Sequence, residues 1–312
     1  MGNLAQREAF GKALAEYGQK NERIIVLDAD TSSSTMSNHF AKRFPGRFIN
    51  VGIAEPCLVD VGVGLALGGF IPFLNAFAAL ISLRAMEQIR TCVAYAHTNV
   101  KMAASYAGLS DYKDGPTHHS IMDIAIMRMM PGMTVIVPSD EIEIKKWVPI
   151  IAEYEGPVYF RLSRAETGLV HNGDLKLEMG KGITLQQGKD VTIIAIGSMV
   201  SRSLKAAEKL KAEGISARVV AMPTVKPIDR DLIIKLASET GAIVTVEEHS
   251  ILGGLGGAVA EVISEEIPTP MVRVGIRDTF ARTALDVESL LHEYGMGVND
   301  IVSAVNKAVI KK

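Results

Sequence analysis

The stretch NVGIAEPCLVDVGVGLALGG, residues 50–69, has an acid near its start, Glu55, directly before Pro56. Nearly everything around it is small and apolar, as in a segment made for a core. A carboxylate in such surroundings needs a partner or it takes up a proton. Pro56 suits the first helical position, which puts Glu55 at the positive end of a helix dipole. Local sequence allows two readings: an acid that only starts a helix, or a buried acid that sets the protonation of something bound beside it. A second cluster is YKDGPTHHSIMDIAIMRMMPGMTVIVPSD, residues 112–140. Its Asp114, Gly115 and Pro116 form a turn before Thr117, a residue type that caps helices. His118 and His119 then stand at the expected helix start. Adjacent histidines point apart, so at most one faces a ligand; a solvated, capped turn is the plainer reading. No second ligand falls at helical spacing and no cysteine is near, so a metal site is not expected.

The elements that must position these residues alternate along the chain. ERIIVLDAD, GRFINVG, GGFIPFLNAF, NVKMAASYAG, MTVIVPSD and GPVYFRLSR read as strands. LAQREAFGKALAEYG, SLRAMEQIRTCVAYA and EIEIKKWVPIIAEY read as helices between them. Later come the strands VTIIAIGS, ISARVVAMPTV and GAIVTVEE, and the helices VSRSLKAAEKLKAEG, RDLIIKLASET and LGGAVAEVISEE. Short apolar strands with intervening helices predict an α/β fold: two three-layer domains with mostly parallel sheets covered by helices on both faces. The expected division is a first domain over 1–165, a glycine-rich linker with a small hairpin over 166–190, and a second domain over 191–312. Ligands sit at the carboxyl ends of parallel strands. Asp28, Asp30, Glu55, Asn75, Tyr106 and Arg164 collect at those ends, so the first domain reads as the site-bearing one. Asp60 is expected on a polar helix face.

A length of 312 residues suits two domains, and 33 basic against 35 acidic residues give no electrostatic footprint for nucleic acid or an anionic membrane. Residues 61–83 carry no charge, a run long enough to cross a bilayer. Gly68, Gly69, Pro72 and Asn75 interrupt it, so helix, turn and buried strand are expected instead. Cys57 and Cys92 lie in apolar stretches without a CxxC pair and read as buried thiols of a reducing compartment. MGNLAQREAF has no apolar signal core, which points to the cytoplasm.

GIAEP, NAF, KDGPTH and MPGMTVIVPSD, with VKPIDRDLI and TVEEHSILGGLGGAVAEVI further on, together resemble the C-terminal half of transketolase. The resemblance covers essentially the whole chain; deoxyxylulose-phosphate synthase is a nearby relative, normally one long chain. It implies a pyrimidine-binding domain followed by a C-terminal domain. The family's GDG…Asn element, which holds the diphosphate of thiamine diphosphate and a divalent cation such as Mg²⁺, has no match here. The chain therefore resembles one subunit of a split transketolase. Its implied partner is an N-terminal transketolase subunit carrying the GDG diphosphate motif, assembled as a dimer of heterodimers. The implied reaction moves a two-carbon ketol unit from a ketose phosphate to an aldose phosphate.

Site residues follow from the same resemblance. The acid matching Glu55 hydrogen-bonds the aminopyrimidine ring and favours the tautomer that activates the neighbouring thiazolium carbon. Phe77 of NAF matches the aromatic that packs on that ring, and Leu80 stands where relatives often carry a second aromatic. Asp30 of DADTSSST matches an acid near the cofactor edge. Asp114 and His118 match residues that meet sugar hydroxyls and the carbonyl region, His118 with a part in proton movement. Arg7, Ser34 and Arg164 match a phosphate-binding trio, a task that suits the arginine fork. Read without the resemblance, Phe77 is a core aromatic, Arg7 a solvated helix residue and Arg164 a linker charge. Tyr106 stands where many transketolases have a substrate-channel histidine, and Lys113 replaces the acid of EDG, which leaves the sugar open. The beta chain of a 2-oxo acid dehydrogenase decarboxylase shares the two-domain plan and the glutamate, but not KDGPTH or the phosphate trio. A non-catalytic partner that binds sugar phosphates is the third reading. LGGLGG lacks GxGxxG spacing and is expected to allow tight packing at a helix start, with His249 before it structural.

Overall fold

The computed structural model describes residues 4–312. Its strands are β1 (Ile24–Asp28), β2 (Phe48–Asn50), β3 (Ile71–Phe77), β4 (Lys101–Ser105), β5 (Thr134–Ile136), β6 (Val158–Arg161), β7 (Ile183–Gln186), β8 (Val191–Ala195), β9 (Ala217–Ala221), β10 (Thr224–Lys226), β11 (Ile243–Ser250) and β12 (Met271–Ile276). Among the described residues they form two sheets, ordered β10-β5-β6-β4-β3-β1-β2 and β12-β11-β8-β9-β7. Pairing is parallel except for β10 on β5 and β7 on β9. Every residue of β1, β4, β6 and β8 is buried. That is what strands covered on both faces require, and it is why they read as near-continuous apolar runs.

Helices Gln6–Tyr17 and Glu141–Glu153 cover one face of the first sheet, packing Phe10, Leu14, Trp147 and Ile151 on Phe73, Val158 and Phe160. Helices Glu55–Leu67, Ala78–Arg84 and Asp123–Met129 contribute Leu58, Ile81, Ile124 and Met127 to a core that also holds Ile194, Val220, Ile233 and Val259. The first sheet and the helices Arg230–Thr240 and Leu255–Glu266 thus share one continuous interior. Helices Met199–Ala212 and Val298–Ile310 bury Val200, Leu210, Ile301 and Val305 in a separate core with β8, β9 and β11.

Four expectations change. ISARVVAMPTV is not one strand: it divides at Met222 and Pro223, and β10 leaves the second sheet to pair with β5, Thr224 opposite Ile136. The expected linker has no hairpin of its own; β7 within it pairs antiparallel with β9. SLRAMEQIRTCVAYA breaks at Ala85 and continues through Met86–Gln88 into a π-helical segment, Ile89–Tyr95. Cys57 is exposed and Cys92 only half-buried; Cys57 lies on the outward stripe of its helix with Asp60, Gly64 and Leu67.

A buried polar clamp joins the two halves behind the loop 107–120. Arg161 Nε donates to Asp123 Oδ2 at 2.8 Å, and its Nη2 donates to the carbonyls of Ser120 and Glu248. Tyr159 donates its hydroxyl to the same Asp123 oxygen. Glu248 accepts from the Leu109 N–H at 2.7 Å and from Ser198. His249 Nδ1 donates to the Ser250 carbonyl and Nε2 accepts from the Ala125 N–H, the pattern of a neutral ring; burial pushes its pKa down to about 4. Glu247 caps the helix of LGGLGG through Leu255 and Gly256 N–H, and a Cβ on Gly254 would stand 2.0 Å from its Oε2. Removing one partner of a buried ion pair strands the other. Arg161→Met should therefore lower the unfolding free energy by about 3–5 kcal/mol in denaturant titration; a loss below about 1 kcal/mol would show that the clamp does not hold the halves together.

Candidate active site

Parallel pairing aligns four strand ends. Asp28 is opposite Asn75, Phe77 opposite Ser105, and Ala104 opposite Arg161. The chain leaving each end carries a candidate residue: Asp30 after β1, Phe77 ending β3, Tyr106 after β4 and Arg164 after β6. Buried Asp28 shapes the first of these loops. Its carboxylate accepts from Thr31 N–H and from the hydroxyls of Thr31, Thr35 and Ser37. Burial pushes the Asp28 pKa up, against those hydrogen bonds.

Glu55 is the first residue of the helix Glu55–Leu67, with Pro56 second rather than first. It is only 3% exposed. Its two oxygens face Arg84 Nη1 at 3.3 and 3.4 Å, and Arg84 is half-exposed. Arg84 ends the short helix that begins just after Phe77 and contains the half-buried Leu80. Exposed apolar side chains lie on the same and adjoining segments, among them Ile53, Leu67, Leu83, Met86 and Tyr95.

The other candidates converge on Tyr106. Its ring stacks on Phe77 at 4.2 Å and 25°. The guanidinium carbons of Arg7 and Arg164 each stand 5.2 Å from its centroid. Arg7 Nη1 donates to the Tyr106 hydroxyl and to the carbonyl of Ser34, both at 2.7 Å. Ser34 thus meets Arg7 through its backbone. Among the described residues Arg7 has no carboxylate partner, whereas Arg164 pairs with Asp111 at 3.0 Å. Tyr106 has φ +62°, a conformation costing a non-glycine residue on the order of 1 kcal/mol. Its neighbour Ala107 is tied to Leu162 O. His118 meets Phe77 edge-on at 6.1 Å. Asp114 is exposed on the same loop.

Some placements differ from expectation. Thr117 caps no helix; it closes a 3₁₀ turn, Gly115–Thr117, and hydrogen-bonds His118 Nδ1. The helix after it starts only at Asp123. His119 turns inward, donating Nε2–H to the Asp111 carbonyl, and burial lowers its pKa. Asp30 is exposed and pairs reciprocally with Asn50 rather than with the Tyr106 group. PSD is structural: Asp140 caps the helix Glu141–Glu153 and also accepts from Val170 and His171 N–H.

Sequence reasoning missed four positioning residues. Gln6 donates to the Pro138 and Ser139 carbonyls and accepts from Ser163 N–H, which fixes the start of the Arg7 helix. Asp111, Arg84 and Glu248 were passed over too. Apart from Gln6, buried beside Arg7, each of these reads locally as an ordinary surface charge, and its partner is far along the chain.

Comparison with known proteins agrees with this architecture. The transketolase pyrimidine-binding domain family matches residues 3–168, and the transketolase C-terminal domain family matches residues 180–301. A chain named as a transketolase C-terminal section in Methanocaldococcus jannaschii is 44% identical over 309 residues, covering 98% of this chain and 96% of that one. A 6-deoxy-6-sulfo-D-fructose transketolase subunit of Clostridium sp. is 41% identical over 98% of this chain and 95% of its own length. A solved split-gene transketolase, described as an inactive β4 tetramer, superposes with a TM-score of 0.91 at 49% identity over 99% of both chains. From these matches, with the two sheets and the residues gathered at their strand ends, the chain belongs to the transketolase family, as a C-terminal section of a split transketolase.

Proposed function

We propose that this chain, joined to an N-terminal subunit, transfers a two-carbon ketol unit from a ketose phosphate to an aldose phosphate. The observation that carries the reading is Glu55: a buried carboxylate whose partner in the single chain is a half-exposed arginine. The residues present fit the pyrimidine half of thiamine diphosphate. One buried acid suits a ring nitrogen that carries a proton, and Phe77, half-buried with Tyr106 stacked on it, suits an aromatic ring. When bound, the cofactor supplies the nucleophilic carbon and the electron sink. Among the described residues no three His, Cys, Asp or Glu side chains come together as a metal site. The proposal assigns the divalent cation and the diphosphate to the partner's GDG motif.

This chain's own tasks are then distinct. Glu55 holds a proton at the ring nitrogen, which requires Arg84 to give way. Arg7, Arg164 and the Tyr106 hydroxyl bind the anionic end of the sugar; since Tyr106 accepts from Arg7, its own proton is free for an oxygen of the ligand. Asp114 and His118 orient hydroxyls and move protons near the reacting carbonyl. Asp30 stands at the cofactor edge, and Leu80 replaces a second aromatic there. The apolar face around Ile53, Leu67 and Tyr95 is where the partner docks, within a dimer of heterodimers. No helix among the described residues is long and apolar enough to cross a membrane, and two free cysteines agree with a cytoplasmic, reducing setting.

Co-purification with a GDG-bearing subunit should give ketol transfer that needs both chains and thiamine diphosphate, and this chain alone should be inactive. In that assembly Glu55→Gln should lower kcat by about 10²-fold or more; unchanged turnover would remove the catalytic reading. Arg7→Met should raise KM for an aldose phosphate by about tenfold with kcat nearly unchanged. Ile53→Asp, at an exposed position, should leave the chain folded and abolish co-purification, as size-exclusion chromatography would report; a retained complex would place the partner elsewhere.

A further inference from the structure

We propose that Asp111 is a positioning residue for Arg164: a buried carboxyl that aims the guanidinium at the anionic end of the sugar and, through a proton shared with Asp114, sets how much positive charge it presents. The inference rests on reading Arg164 as part of the anion site.

Asp111 is fully buried. One oxygen, Oδ1, takes Arg164 Nη1 at 3.0 Å. The Arg164 backbone N–H is held by the neighbouring Ser110 hydroxyl at 3.1 Å, so both ends of the residue are tied to the same loop. The guanidinium then rests between the rings of Tyr106 and Tyr112, at 5.2 and 5.7 Å. The other carboxyl oxygen, Oδ2, is buried with no donor of its own among the described residues. The carboxyl of Asp114 lies beside Asp111. Two carboxylates can only accept, so the contact becomes a hydrogen bond when one of them carries a proton.

The loop cannot retract this carboxyl freely. Leu109 N–H is bonded to Glu248, Tyr112 O accepts from Ala284 N–H, and a Cβ on Gly115 would stand 2.5 Å from Thr283 Oγ1. The charged groups that face Asp111 are Arg164, Asp114 and His118, while His119 donates to its carbonyl. Burial, and then Asp114, push the Asp111 pKa up to about 6, with Arg164 and His118 pulling the other way. The sign follows. Above about pH 6 Asp111 is ionised and offsets Arg164, so anions bind more weakly. Below it Asp111 is protonated and Arg164 presents its full charge.

Sulfate tests this directly, because its charge does not change over the range. Calorimetric titration of sulfate into the assembled two-chain enzyme should show affinity falling about tenfold between pH 5 and pH 8. Asp111→Asn keeps an acceptor for Arg164 and a donor for Asp114 but cannot ionise. Its sulfate affinity should fall clearly less than the wild type's across the same range, and it should bind more tightly than the wild type at pH 8. Asp114, His118 and His119 remain in both proteins, so the difference isolates Asp111. Asp111→Ala should lose sulfate affinity at both pH values and raise KM for an aldose phosphate, with kcat within about twofold and KM for an unphosphorylated aldose unchanged. An Asp111→Asn protein with the wild-type pH slope overturns the proposal, as does equal KM loss for phosphorylated and unphosphorylated acceptors. An assembly that shows the sulfate pattern but no ketol transfer would instead sink the proposed function and leave the charge control standing.

Discussion

The Glu55 carboxylate is out of water, and in the single chain only one half-exposed guanidinium answers its charge. Burying an unpaired carboxylate costs several kcal/mol. The Arg84 contacts, at 3.3 and 3.4 Å, are longer than the 2.7–2.9 Å usual for charge-assisted hydrogen bonds. A position at the first turn of a helix adds about 0.3–1 kcal/mol for the charged form. The acid thus faces a partner that another group can replace. That is the condition the proposed cofactor contact needs.

The scaffold around this acid is built for fixed placement. Gly62 lets its helix approach β3; a Cβ there would come 2.6 Å from a Leu74 methyl. The short helix after β3 carries Phe77 just before its start and Arg84 at its end, so the proposed ring platform and the partner of Glu55 are placed by one element. Elsewhere at the strand ends Asp28, Gln6 and Glu248 each immobilise a loop through backbone N–H or carbonyl groups. None of these three need touch a ligand. Their work is to hold Ser34, Arg7 and the Tyr106 loop in register with the strand ends.

The alternation of strands and helices was legible because buried parallel strands are continuous apolar runs, and β1, β3, β4 and β6 lie where those runs do. Glu55 and Phe77 stand out in their motifs, Arg7 and Arg164 only through the family resemblance; the structure brings Arg7, Arg164, Phe77 and Tyr106 together. The rest depends on distance along the chain. Nothing local tells β10 to join the first sheet, since its partner β5 lies about ninety residues earlier. Asp111 and Arg164 are separated by 53 residues, Leu109 and Glu248 by 139. The exposed Cys57 looked buried because most residues beside it in the sequence are apolar, while its helix turns it outward with the exposed Asp60.

The most direct test is a crystal structure of the two-chain assembly with thiamine diphosphate bound. The account predicts a Glu55 oxygen about 2.6–3.2 Å from a nitrogen of the pyrimidine ring, with Arg84 swung aside. An intact Glu55–Arg84 pair with the ring lodged elsewhere would contradict it.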